Sequence, residues 1–375
     1  MVIEKLDILN FKNIAEARLE FPEGVICLLG RNGMGKSNLL EAIHFACMAR
    51  PMSTLTETGL IRHGEELMSV QAHFVMDRAR GGDAGTTRDV EKVNIGIVKG
   101  KGKTLKRNGK EYDRISQHIG AFPVVSVTPA DSELVAGSSQ ERRRMTDMVI
   151  SQANANYLAQ LIRYNRSLEN RNRMLRAGVR DPLLYESVEA VMAEAAAVVH
   201  EQRREWVEQM APVVAANYDE ISGGHEELTL GYRSSLNGAG MEEVLAANRG
   251  KDLALGFTSA GVHRDDLTAL LDGYALRSYG SQGQVKSFTV ALRLAIFDYL
   301  KRTGSETPLL LLDDIFDKLD STRVGRIMQL VSRSDTFGQI FITDTNREHL
   351  DETLAGLSGP KQLLNVEEGR FDEKV

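Results

Sequence analysis

Residues 30–37 read Gly30-Arg31-Asn32-Gly33-Met34-Gly35-Lys36-Ser37 and satisfy the pattern GxxxxGK[ST] at every fixed position. That pattern constrains its own surroundings, because it functions only between a strand and a helix. Both are present. Gly24-Val25-Ile26-Cys27-Leu28-Leu29 is a short apolar run that reads as a buried strand, and Asn38 to Ala46 spaces its apolar residues as a helix does. Gly30, Gly33 and Gly35 let successive backbone N–H groups turn inward around a polyphosphate, with Arg31, Asn32 and Met34 supplying the rest of the loop. The following helix points its positive end at the same anion. Lys36 is expected to reach the β- and γ-phosphates, and Ser37 to hold Mg²⁺ through its hydroxyl. A glycine-rich turn that binds nothing would share these eight letters, but it would not require the strand and helix around them.

At 375 residues the chain is long enough for two domains, or for one large domain with an insertion. Its start, Met1-Val2-Ile3-Glu4-Lys5, lacks a basic-then-apolar leader, and no apolar run approaches the roughly 20 residues that span a bilayer. A soluble, cytoplasmic protein with no membrane partner is expected. Cys27 and Cys47 fall in the strand and helix around the loop, without metal-ligand spacing. The net charge of −6 hides a strong polarity. Lys99 to Arg114 holds seven cations against Glu111 and Asp113, a local +5. Ser139 to Arg180 holds nine arginines against three acids, a local +6, which leaves −17 for the remainder. Nine arginines with few acids nearby exceed what solubility requires, so anion binding is expected there.

Val2 to Glu20 alternates as two strands around Asn10-Phe11-Lys12-Asn13. Leu67 to Met76 and Val93 to Val98 read as partner strands across a glycine-rich loop at 78–88, and Lys103 to Tyr112 as a hairpin around Asn108-Gly109. Phe122 to Val127 is expected to close this antiparallel region. From about Gln140 the period becomes helical, through Leu158, Leu161, Asn165, Leu168, Asn172 and Leu175. Gly178 and Pro182 interrupt it, and a second run carries Val188, Val191, Met192, Ala195, Val199, Trp206 and Met210. This predicts an antiparallel helical hairpin of about 50 Å per arm if each helix has about 35 residues. Strand character returns at Leu228 to Arg233, and Val366 to Val375 is polar enough to fray.

Pro308 to Asp314 is four leucines ending in two acids, as in a central parallel strand whose tip meets a metal. Asp313 is expected to bind Mg²⁺, and Asp314 to polarise an attacking water. Ser281-Gln282-Gly283-Gln284 opens another helix, and so offers a second anion-binding N-terminus. Together with the loop and the two acids, it resembles the signature SGGQ of ABC-type ATPases, with Gln282 in place of the first glycine. Asp317-Lys318-Leu319-Asp320 then stands where that family carries its D-loop. Gln339 to Asp344 stands where it carries the last core strand and switch. The resemblance implies an α/β fold: an ABC-type ATPase head with a parallel sheet core and an antiparallel β subdomain, and an inserted antiparallel α-helical arm. The expected divisions are 1–136 for the first part of the head, 137–222 for the arm and 223–375 for the second part. It also implies an ATP-dependent homodimer in which Ser281, Gln282, Gly283 and Gln284 of one copy complete the nucleotide site of the other. Asp314 replaces the family's glutamate and Thr343 or Asp344 its switch histidine, so slow hydrolysis is expected, with Lys36 and Asp314 as the catalytic groups.

More specific segments narrow the match. Asn10 to Asn13, Asn32 to Ala42, Leu60 to Gly64, Thr128 to Asp131, Arg142 to Asp147 and Gly261 to Leu267 resemble the RecF family nearly end to end, whereas Arg50-Pro51-Met52-Ser53-Thr54 lacks that family's serine–arginine pair. The resemblance implies recombinational and replication-gap DNA repair: ATP-driven dimers that clamp double-stranded DNA near gaps or single-strand junctions. Release would come through a weak, DNA-stimulated ATPase. A RecR-like partner, with RecO, would direct RecA to the site. Arg142, Arg143, Arg144, Arg163 and Arg166 are the expected DNA contacts. Another SMC-like ATPase is one alternative. An ABC transporter ATPase subunit is another, although such subunits lack an arginine-rich hairpin between loop and signature.

Overall fold

In the computed structural model the described residues are 1–52, 55–79, 86–315, 319–331, 337–347 and 359–373. Most of the glycine-rich loop expected at 78–88, the D-loop residues Asp317 and Lys318, and Ser53 and Thr54 lie outside them. The chain opens with β1 (Val2–Phe11), β2 (Ile14–Glu20), β3 (Val25–Leu29) and α1 (Lys36–Met48), followed by β4 (Leu67–Ala79), β5 (Thr86–Val98), β6 (Gly102–Arg107), β7 (Lys110–Glu111) and β8 (Val124–Val127). Next come α2 (Glu133–Ala136), α3 (Ser139–Ala153), α4 (Ala155–Arg176), α5 (Pro182–Ser222), β9 (Leu228–Arg233), α6 (Met241–Leu255), β10 (Asp266–Leu271), β11 (Tyr274–Ala275) and α7 (Leu276–Tyr279). The chain finishes with α8 (Gln282–Thr303), β12 (Leu309–Leu312), α9 (Ser321–Val331), β13 (Ile340–Asp344), β14 (Lys361–Glu367) and β15 (Arg370–Glu373).

These elements form two compact units, Met1–Asp131 with Ile296–Val375, and Ser132–Ala295. Residues 223–295 lie in the second of these units, with the helices. The first unit holds two six-stranded sheets, ordered β2-β1-β4-β5-β6-β7 and β15-β14-β3-β13-β12-β8. The first is antiparallel throughout. In the second, β14, β3, β13, β12 and β8 run parallel, and only β15 reverses. Parallel strands buried on both faces need continuous apolar runs, and β3, β8, β12 and β13 are buried at every position. The Phe122–Val127 strand thus belongs to the parallel sheet, beside β12, and does not close the antiparallel one. Helix α1 contacts strands of both sheets and is buried almost all round, with Phe45 against Phe11 at 6.2 Å. Through Glu373 the tail is paired and not frayed: β14 and β15 form a hairpin whose Glu368 and Gly369 both take positive φ, as a two-residue I′ turn requires.

In the second unit, α4 and α5 pack along each other, as the helical periodicity predicts. Their lengths differ from the expected pair. Asn154 breaks the first helix, its side chain accepting the N–H of Tyr157, so α4 has 22 residues and α5 has 41, about 33 and 62 Å long. The buried stripe of α4 is Tyr157, Tyr164, Ser167, Arg171 and Leu175, with Leu158, Leu161 and Leu168 half-buried at its margin. A three-stranded sheet, β11-β10-β9, completes this unit.

Candidate phosphate and metal site

The carboxyl ends of β3, β12 and β13 lie side by side in the parallel sheet, so the residues that follow them converge at one edge. After β3 comes the 30–37 loop. Gly33 and Gly35 hold φ +81° and +117°, conformations that side-chained residues rarely adopt. Gly30 is required for space, since a Cβ there would sit 2.4 Å from the Val366 carbonyl oxygen. Helix α1 starts at Lys36 with no side-chain cap and no acid in its first turn, which leaves its N-terminus suited to an anion. Lys36 is buried, its ammonium donating to the carbonyls of Gly30 at 2.6 Å and Arg31 at 3.2 Å. It lies across the loop it is expected to serve.

After β12 comes Asp313, whose Oδ1 accepts from the Ser37 hydroxyl at 2.9 Å and from the Thr343 hydroxyl at 2.8 Å. The Thr343 oxygen also accepts the N–H of Asp314 at 3.0 Å, and Asp314 takes φ +43°. Thr343 therefore ties both acids, while Asp344 Oδ1 accepts the N–H groups of Thr345 and Asn346 and so caps the loop after β13. Of the two switch candidates, Thr343 is joined by hydrogen bonds to both acids. The Ser37 hydroxyl and Asp313 carboxylate bring two hard oxygen donors together, and that donor set fits Mg²⁺.

Two supports were not read from the sequence. Asn13 donates to the Met34 carbonyl and accepts from Asn38, and Gly369 donates its N–H to the same Met34 carbonyl at 2.7 Å. The turn of the first hairpin and the turn of the last thus brace the loop from outside. The signal for the second was two alternating runs separated by Glu368-Gly369, weaker than an Asn-Gly pair.

At the other expected anion site, the Ser281 hydroxyl accepts the N–H of Gln284 at 3.2 Å and Gln284 Oε1 accepts the N–H of Ser281 at 2.7 Å. This is a capping box: it satisfies the N–H groups of Ser281 and Gln284 at the start of α8, whereas α1 has no side-chain cap. Gln284 also donates to Glu226 at 2.6 Å.

The arginines divide into two classes. Arg142 is buried and forks onto Asp266, at 2.7 and 3.1 Å, with further bonds to the carbonyls of Leu134 and Gly137. It cannot also serve as a DNA contact. Arg143 is half-buried and donates to the Asp265 carbonyl; burial and the nearby Arg203 lower its pKa. Arg171 is fully buried between Glu189 and Asp252. Arg144 and Arg163 are exposed, paired to Glu141 and Glu194 at the surface, and Arg166 is exposed with no ion pair among the described residues. Within 99–114, Lys103 and Arg107 are likewise paired, to Glu57 and Glu91, while Lys101, Lys106, Lys110 and Arg114 remain exposed.

The sequence model of the RecF/RecN/SMC N-terminal domain matches residues 2–363. A DNA replication and repair protein RecF from Porphyromonas gingivalis is 46% identical over 99% of this chain and 100% of its own length, and one from Bacteroides fragilis is 43% identical over 100% and 98%. Among solved structures, the recombination mediator RecF with ATP, from the RecFOR pathway, superposes with TM-score 0.87 at 28% identity, covering 100% of this chain and 97% of that one. A Pyrococcus furiosus Smc head domain superposes with TM-score 0.57 at 17% identity, covering 99% and 95%, a likeness of fold alone. No described helix is long and apolar enough to cross a membrane. The architecture is that of an ABC/SMC-like ATPase head, and the chain belongs to the RecF family.

Proposed function

We propose that this chain is an ATP-gated DNA clamp of recombinational repair. The observation that carries the reading is the meeting of Ser37 and Asp313 at 2.9 Å, across 276 residues of sequence, beside a loop whose helix N-terminus is left open. Gly30 to Ser37 would wrap the phosphates, Lys36 would exchange its loop carbonyls for phosphate oxygens, and Ser37 and Asp313 would hold Mg²⁺. The metal, when bound, would neutralise charge developing on the phosphates. Asp314, with its backbone fixed by Thr343, would polarise water, and its short reach accords with slow turnover.

The signature of a second copy would supply Ser281 and Gly283, with Gln282 and Gln284 beside them, so nucleotide would couple to dimerisation. DNA would be held mostly through phosphates by the exposed Arg144, Arg163 and Arg166, with Arg173, Arg176 and Arg180 nearby. A RecR-like partner and RecO would then link the clamp to RecA loading in the cytoplasm. The P. gingivalis and B. fragilis relatives, replication and repair proteins, support the pathway assignment.

Sedimentation with a slowly hydrolysed ATP analogue tests the coupling. Dimers are expected with nucleotide and monomers without it, and Ser281→Arg should stay monomeric while still binding nucleotide. A Ser281→Arg protein that dimerises normally would remove the signature from the account. Co-purification with a RecR-like protein tests the partner.

A further inference from the structure

Among the described residues, three tyrosine, phenylalanine or tryptophan side chains are exposed: Phe257, Tyr274 and Tyr279. The Arg264 guanidinium already covers Phe257, 5.4 Å from the ring centroid. Tyr274 and Tyr279 have each other. They are 66% and 74% exposed, with ring centroids 5.7 Å apart at 67°, and neither hydroxyl is hydrogen-bonded among the described residues. A single exposed ring is ordinary, but two in contact leave an aromatic surface in water that a ligand can cover.

The chain holds this pair beside the signature. Leu276, at the start of α7, is buried, and the Gly280 N–H donates to its carbonyl at 2.9 Å. A Cβ on Gly280 would stand 2.7 Å from that same carbonyl oxygen, so the position between Tyr279 and Ser281 is left without a side chain. Two residue steps, at most about 7 Å of chain, separate Tyr279 from Ser281. In the unit that carries the phosphate loop, no tyrosine, phenylalanine or tryptophan among the described residues is exposed, so a nucleotide there finds no such platform on its own copy.

We propose that Tyr279, backed edge-to-face by Tyr274, stacks on the base of the ATP held by the phosphate loop of a second copy, the same nucleotide whose γ-phosphate Ser281 meets. The inference rests on the proposed dimer and adds the base to what the signature side recognises. A ring face suits the face of a base, whereas the phosphates are already served by the loop and by Ser281. An unpaired DNA base would stack as well, but nothing fixes DNA at Ser281 as the γ-phosphate fixes the nucleotide.

Sedimentation of the full chain in rising concentrations of slowly hydrolysed ATP and UTP analogues tests this. The unsubstituted chain should dimerise at an ATP-analogue concentration at least fivefold below that of the UTP analogue, because a purine offers the larger stacking area. Tyr279→Ala should raise the ATP-analogue midpoint about 5- to 100-fold, the range for removing a ring that stacks on a base, and should level the two nucleotides. Tyr279→Phe should keep the preference. An equal response of the unsubstituted chain to both nucleotides, which needs no variant, would overturn the proposal. So would a Tyr279→Ala chain shifted by the same factor for both, which would make the ring a contact between copies only. Weaker single-stranded DNA binding in Tyr279→Ala with an unchanged ATP midpoint would put a DNA base on the pair instead, and overturn it too. An unsubstituted chain that stays monomeric with both nucleotides would remove the dimer itself, and this inference with it.

Discussion

A single carboxylate oxygen, Asp313 Oδ1, serves two hydroxyls, and this makes Thr343 the residue whose loss is most informative. Thr343→Val should leave folding intact and lower nucleotide hydrolysis or metal affinity by about 10- to 100-fold, the usual effect of removing a partner of a metal ligand, measurable as phosphate release against Mg²⁺ concentration. Elsewhere the buried charges are structural. Asp252→Ala would leave the buried Arg171 guanidinium with Glu189 as its remaining carboxylate partner, and a loss of up to about 3–5 kcal/mol in denaturant unfolding is expected. Burial lowers His118 and His263 from 6.5 to about 4, against opposing hydrogen bonds to the carbonyls of Ala46 and Thr258. Their folded pKa values lie below the unfolded ones, so the unfolded chain binds protons first as pH falls. The stability they contribute is complete above pH 6.5 and is lost between 6.5 and about 4, up to about 3 kcal/mol each. His118→Gln should flatten that dependence in unfolding measured at pH 7 and pH 5. None of these networks was legible in the sequence. The partners of Arg142 and Arg171 come from Asp266 and Asp252, 124 and 81 residues away, so a local charge count scored as free cations what folding neutralises.

At the scale of elements, the pieces that the sequence displayed clearly were those whose pattern is local. Strand β3, the loop and α1 follow from an eight-residue pattern and its flanks, and the Asn108-Gly109 turn appears as a hairpin with φ +52° and +81°. What was misread depends on tertiary pairing. Whether Val124–Val127 joins one sheet or the other is decided by β12, 185 residues later. The C-terminal hairpin looked too polar to order because its order comes from β3 and the Met34 carbonyl. Since a Cβ on Gly369 would meet the Asn13 carbonyl oxygen at 2.7 Å at φ +78°, Gly369→Val should strain the brace by about 1–3 kcal/mol. Nucleotide affinity should fall about tenfold or more, because each 1.4 kcal/mol carried into binding is a factor of ten. Titration of a fluorescent ATP analogue reads this directly, and unchanged affinity would separate the hairpin from the site.

At the scale of the whole molecule, the formal charge of −6 coexists with exposed cations gathered in two segments, so binding to a polyanion depends on where those cations face and not on their sum. Three arginines of the 139–180 segment leave the count, Arg142 and Arg171 to buried acids and Arg143 to a backbone carbonyl, and six remain exposed. Substituting Arg166 with Glu should weaken DNA binding and reduce its salt dependence, whereas Arg142→Ala should instead lower the unfolding midpoint. The central claim is that nucleotide gates a grip made mostly of phosphate contacts. DNA affinity measured across salt concentrations, with and without an ATP analogue, tests it most directly. The account predicts tight binding only with nucleotide, with log K falling linearly in log salt by about 0.9 per phosphate neutralised, and loss of that binding in Lys36→Ala. Binding that is flat in salt, or equal in Lys36→Ala and the unsubstituted chain, would contradict it.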